Sequence, residues 1–187
     1  MTLALVDPID LVGNKADQAA LLSHEILLHT RPHSAWGGAV TAQMYLPLER
    51  SAVWRQVTHY ARWVEYFPSL TQSVLLSSSL SIDQPYQRLY QVASKSLLCF
   101  TAQVEIYLKV FEIPGLKRDR IQFEFEQGSF QDFSAELKLQ DLHRGTLLTY
   151  GVKATPTLPI PTQIIQEGIR LDLPTNMRSM RQVICQG

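Results

Sequence analysis

The chain has 187 residues, 45% of them hydrophobic, enough to bury the core of one domain with a short extension and too many for a disordered chain. Its 17 Lys and Arg balance 17 Asp and Glu, which argues against a broad nucleic-acid footprint, because that needs clustered positive charge. No stretch reaches the ~20 apolar residues of a membrane span, and two cysteines as distant as Cys99 and Cys185 make neither a disulfide framework nor a zinc site.

The N-terminal stretch MTLALVDPIDLVGNK lacks a basic segment before its apolar residues and is interrupted by Asp7, Pro8 and Asp10, so it does not read as a secretory signal. The expected location is cytoplasmic, or peripheral on a cytoplasmic membrane face. Residues 1–34 are expected to form an N-terminal extension and 35–187 the main domain. Asn14 as a cap and Asp17 in the first turn open a predicted helix. Its apolar face, Ala20, Leu21, Leu27 and Leu28, runs to His29, and Pro32 ends it. A membrane-surface helix usually carries Lys and Arg along its polar face. This one has Lys15 and Arg31, so packing or a protein partner fits it better than lipid.

From Ala35 the pattern changes. Ala39–Leu46 reads as a strand, broken by Pro47. Glu49–Val57 reads as a helix with Val53, Trp54 and Val57 on one face. A second short helix spans Tyr60–Tyr66 and stops at Phe67-Pro68. Period-two segments follow at Gln72–Ile82, Tyr86–Leu97, Phe100–Phe111, Arg120–Glu126, Phe133–Gln140 and Thr146–Ala154, separated by short turns. The alternation is cleanest in the third, where Ala102, Val104, Ile106, Leu108 and Val110 oppose Thr101, Gln103, Glu105, Tyr107 and Lys109. Such strands are antiparallel with one wet and one apolar face, since these connections are too short for parallel crossovers. After Pro156, Pro159 and Pro161, Thr162–Ile184 reads as a long helix carrying Ile164, Ile165, Ile169, Leu173, Met177, Met180 and Ile184 at helical spacing. Pro174 inside it predicts a kink or break near Asp172–Leu173. The apolar face of the sheet must be covered, and the final helix is the element long enough to do it.

In this order the blocks PLERSAVWRQVT (Pro47–Thr58), YARWVEYFPSLTQS (Tyr60–Ser73), the turn at Gly128–Phe133, GTLLTYGVKATP (Gly145–Pro156), PIPTQII (Pro159–Ile165) and LPTNMRSMR (Leu173–Arg181) resemble the START-like (helix-grip, SRPBCC) superfamily. Within it they resemble the polyketide cyclase/dehydrase and coenzyme-Q-binding-protein group. His59 departs from an acidic residue common in relatives, and residues 1–34 lie outside the resemblance. The resemblance implies an α+β helix-grip fold: a curved antiparallel sheet of about seven strands wrapped around a long C-terminal helix, with two short helices after the first strand. It also implies a cavity between sheet and helix.

The inward positions then expected to line the cavity are Val104, Ile106, Leu108, Phe123, Phe125, Phe133, Leu137, Leu148 and Tyr150 on strands, and Ile164, Ile165, Gly168 and Ile169 on the helix. Trp63 and Phe67 are expected at its rim. Gly168 opens space there, or serves close packing with Phe123, Phe125 and Phe133 filling the room. The expected function is non-enzymatic binding or transport of a hydrophobic, lipid-like ligand: a quinone, isoprenoid, pigment or acyl chain. One alternative is a polyketide-type cyclase, aromatase or dehydratase, for which Tyr90, Tyr107, Tyr150 and Arg88 are the candidate polar groups. Another is an assembly or interaction factor docking through the N-terminal helix.

Catalytic residues, cofactors and metal ligands are not expected. His24, His29 and His33 cluster in sequence, but Pro32 keeps a helix from aligning them, and Glu124, Glu126 and Glu136 fall on wet strand faces. Expected partners are the hydrophobic small molecule, a transient membrane surface met by Arg170, Arg178, Arg181 and Lys153, and a protein on the N-terminal helix, with no nucleic acid.

Overall fold

The structure, a computed structural model, describes residues 15–34, 37–79, 84–97, 100–157 and 162–186; at 95–97, 100–102 and 162–172 it describes the backbone alone. The expected strand end at Ile82, together with Trp36, Cys99, Pro159 and Pro161, lies outside the described residues.

The first element corrects the sequence reading. Helix α1 covers Lys15–Leu22 and stops there rather than at His29. His24 adopts a left-handed backbone with φ 68°, and the amides of Ser23 and Glu25 bond back to Ala19 and Ala20 at 2.9 Å each, a C-terminal closure of the helix. Leu27–His33 is strand β1, paired antiparallel with β2, Gly37–Leu46. Leu27 and Leu28 therefore point to opposite faces: Leu28 packs against the main core and Leu27 against a smaller cluster of Leu21, Tyr45 and Leu147 on the outer face. Pro32 ends no helix. It sits in an edge strand, where a missing amide costs no ladder bond.

Helix α2 (Arg50–Val57), a 3-10 turn (Tyr60–Arg62) and α3 (Trp63–Tyr66) carry the chain from β2 to the opposite edge of the sheet. From there β3 (Leu70–Ser79), β4 (Tyr86–Leu97), β5 (Phe100–Ile113), β6 (Arg118–Gly128), β7 (Phe130–Leu142) and β8 (Gly145–Pro156) meander back until β8 pairs with β2. The strand order is β1-β2-β8-β7-β6-β5-β4-β3, antiparallel throughout. The sheet thus has eight strands instead of about seven, the addition being β1. A register shift follows Tyr107, where Gly128 pairs with Ile106 at φ 142°. A Cβ at Gly128 would meet the Glu105 carbonyl oxygen at 2.3 Å, so the position requires glycine.

Helix α4 spans Thr162–Gln186 and continues through Pro174 without a break. Leu173, Met177, Met180 and Ile184 recur at four, three and four residues, and all are buried in the cluster that takes in Val40, Ala42, Met44 and Leu46 of β2 and the inward residues of β4 to β8. The long C-terminal helix and the concave sheet share one core, as the helix-grip fold requires.

Candidate ligand-binding site

The short helices are tied to one another and to the sheet by polar side chains whose apolar bodies are buried. The indole Nε1 of Trp63 donates to the Val57 carbonyl at 2.8 Å, and the Tyr66 hydroxyl donates to the Gln56 carbonyl at 2.9 Å. The Tyr60 hydroxyl donates to Glu112 Oε1 at 2.9 Å. Burial first, and then the Glu112 charge and bond, raise the Tyr60 phenol well above its ordinary pKa. Ser73 donates to the Tyr60 carbonyl at 2.6 Å and receives a bond from Gln91 Nε2 at 3.1 Å. These bonds fix the rings. Trp63 lies 5.2 Å from Phe123, 5.6 Å from Phe67 and 6.3 Å from Tyr150, and Phe67 lies 6.0 Å from Tyr150, the separations of tilted and edge-on aromatic contacts.

Beside this cluster is a partly open cavity of about 150 Å³, lined by Trp63, Phe67, Ser69, Leu70, Gln91 and Tyr150. Its wall is both apolar and polar, where the sequence leads one to expect a largely apolar one. Tyr150 is decisive in it. Among the described residues its hydroxyl makes no hydrogen bond, while its ring contacts Trp63 and Phe67. Burial raises its pKa, so at neutral pH it is an uncharged phenol with a proton to donate. Gln91 Oε1 likewise accepts no bond among the described residues, its Nε2 being held by Ser73. A guest with a hydroxyl or carbonyl would find a donor, an acceptor and three apolar walls.

Of the residues expected to line a cavity, Tyr150 does so, and Trp63 and Phe67 line the same one. Trp63 is 3% exposed, a wall rather than an outer rim. Ile106, Leu108, Phe123, Leu137 and Leu148 are buried and fill the core. Phe125 and Phe133 pack against it, and Val104 is half-buried on β5. Ile164, Ile165, Gly168 and Ile169 belong to α4, with side chains outside the described residues. Sequence reasoning missed Ser69, Leu70 and Gln91. The signal for Gln91 was present: it interrupts the inward row of β4 beside the buried Leu89.

The other polar candidates face outward. Tyr90 stacks on Tyr107 at 4.6 Å and bonds Glu105 at 3.0 Å, and Arg88 pairs with Glu126 at 2.9 Å. Glu136 pairs with Lys138 at 3.2 Å, and Glu124 is exposed. His33 bonds Asp132 at 3.0 Å. Among the described residues, no group of three or more His, Cys, Asp or Glu could hold a metal, and no helix is long and apolar enough to cross a membrane.

The family model described as polyketide cyclase / dehydrase and lipid transport matches residues 46–181. The chain belongs to this family. No curated protein sequence matches it significantly. Solved structures of the superfamily share the fold at low identity. The STAR-related lipid transfer protein fragment from Xanthomonas axonopodis is 13% identical with TM-score 0.69, covering 85% of this chain and 93% of that one. Human StAR-related lipid transfer protein 5 is 10% identical with TM-score 0.67, covering 86% and 80%. The Zhui aromatase/cyclase from Streptomyces sp. R1128 is 10% identical with TM-score 0.56, covering 84% and 93%. The polyketide cyclase/dehydrase and lipid transport match begins at Leu46, the last residue of β2, and runs through Arg181 of α4. It contains every residue that lines the cavity.

Proposed function

We propose that the protein binds or carries, without catalysis, a hydrophobic ligand whose ring bears an oxygen, of the quinone or pigment kind, with the ring against Trp63, Phe67 and Leu70 and the oxygen between Tyr150 and Gln91. The observation that carries this reading is the Tyr150 hydroxyl, without a hydrogen-bond partner among the described residues, beside a cavity of about 150 Å³. A volume of about that size takes a benzene-sized guest, and a ligand oxygen accepting from the Tyr150 hydroxyl would add one hydrogen bond, worth about 0.5–1.5 kcal/mol. The rigid aromatic wall favours a flat ring over a bare acyl chain. The cytoplasm, or its membrane face, is the proposed location.

Cyclase chemistry is the second reading, favoured by the same hydroxyl. A phenol with a raised pKa can polarise a ketone by donating a hydrogen bond. It does not take up a proton at neutral pH, so a cyclase also needs a base that the outward-facing Tyr90, Tyr107 and Arg88 do not provide.

Organic extraction and native mass spectrometry of protein from several expression hosts are expected to yield a ring-containing hydrophobe. Added 1,4-naphthoquinone is expected to quench tryptophan emission in wild type, and to bind Tyr150→Phe roughly three- to tenfold more weakly through loss of one hydrogen bond. Ligand-free protein from every host, with no quenching by the quinone, would sink the proposal.

A further inference from the structure

The solvent side of α4 carries a second feature that shares no lining residue with the cavity. Arg178, Arg181, Gln182, Cys185 and Gln186, together with His24 and Pro47, line a surface groove of about 330 Å³ with a mostly apolar wall. The left-handed turn at His24 directs its carbonyl oxygen to Arg181 Nη1, 2.7 Å away. The remaining donors of that guanidinium, Nε and Nη2, are buried and unpartnered. Arg178 is exposed, and among the described residues neither arginine forms an ion pair. Burial lowers the Arg181 pKa, Cys185 opposes that shift, and the like charge of Arg178 adds to it. Two neighbouring cations without an anion among the described residues, one with donors already desolvated, leave an electrostatic vacancy of definite sign.

We infer that this groove binds an oxyanion carried on an apolar chain, the head group pairing with exposed Arg178 beside the charge of Arg181 and the chain lying along the Pro47 and Cys185 wall. A bare phosphate or carboxylate would satisfy the guanidinium but leave the apolar wall wet. A neutral hydrocarbon would do the reverse. Either a free amphiphile or the head group of an anionic bilayer lipid meets the requirement, and both present the same chemistry to Arg178 and Arg181.

Cys185 borders the groove as an exposed free thiol and reports occupancy. The experiment follows iodoacetamide alkylation of Cys185 in the full chain by peptide mass mapping, with decanoate below its micelle concentration, decanol, or vesicles of phosphatidylglycerol or phosphatidylcholine. Decanoate is expected to slow alkylation saturably and decanol to do so roughly tenfold less effectively, the charge-assisted bonds making the difference. Arg178→Gln, a change at an exposed side chain, is expected to weaken protection roughly tenfold, and Arg181→Lys to weaken it while keeping the positive charge. Protection by phosphatidylglycerol vesicles but not by decanoate supports the inference with a bilayer as the source. Unchanged alkylation with both anions, equal protection by decanol and decanoate, or full protection in Arg178→Gln would overturn it.

Discussion

Tyr150 and Gln91 occupy inward positions of β8 and β4, the kind of place where a side chain ordinarily only fills volume. Leu148 and Leu89 on the same strands do that, and both are fully buried. What separates the two polar residues is a group each keeps without a hydrogen bond among the described residues, next to the cavity. Burial keeps the Tyr150 proton on, with a consequence for pH. A phenol whose folded-state pKa lies above its unfolded value, about 10, contributes stability that is whole below pH ~10 and declines as the pH rises beyond it. Wild-type chemical stability is therefore expected to fall above pH ~10, and Tyr150→Phe to flatten that fall in part; Tyr60, Tyr66 and Tyr90, also raised, contribute the rest. Urea titrations of both proteins between pH 8 and 11 measure it, and parallel curves would refute the placement of Tyr150.

The helices show how neighbours decide what a segment becomes. A single apolar pattern from Ala20 to Leu28 suits a helix, yet it is divided between α1 and β1 because Leu27 and Leu28 reach two different cores once β2 is alongside. Leu21 is fully buried on the outer face and docks α1 on the sheet, while its neighbour Leu22 stays exposed. Leu21→Ala is expected to destabilise the protein by about 2 kcal/mol, read as a lowered denaturation midpoint; an unchanged midpoint would mean that α1 is not docked. In α4 the stripe of Leu173, Met177, Met180 and Ile184 holds the helix in the sheet's concavity, and it keeps the helix continuous through Pro174 despite the hydrogen bond that proline removes. Met177 is fully buried, and Met177→Ala is expected to cost about 2–5 kcal/mol in the same measurement. A loss under about 1 kcal/mol, the range of a surface change, would contradict the packing.

Across the whole molecule, the meander from β3 to β8 joins neighbours in sequence, whereas β2 meets β8 across roughly a hundred residues. That closure sets β2 and α4 against the inner face and brings α3 over its open side. It also leaves β3 as one edge, with Val74, Leu75 and Leu76 partly exposed. Alternation between Tyr86 and Ala154, the two short helices before Phe67 and the stripe after Leu173 were legible in the chain's order alone, because a two-residue or helical period belongs to a segment itself. The family likeness rested on those same blocks. The contacts of Trp63, Leu70, Gln91 and Tyr150 were not legible, since they come from an α3 segment, β3, β4 and β8 that meet after the sheet has curved, and no period encodes that meeting. The course of residues 23–33 likewise depended on β2 as a partner. Which inward side chain fills the core and which borders a cavity is a property of distances between separate segments, and only folding sets those distances.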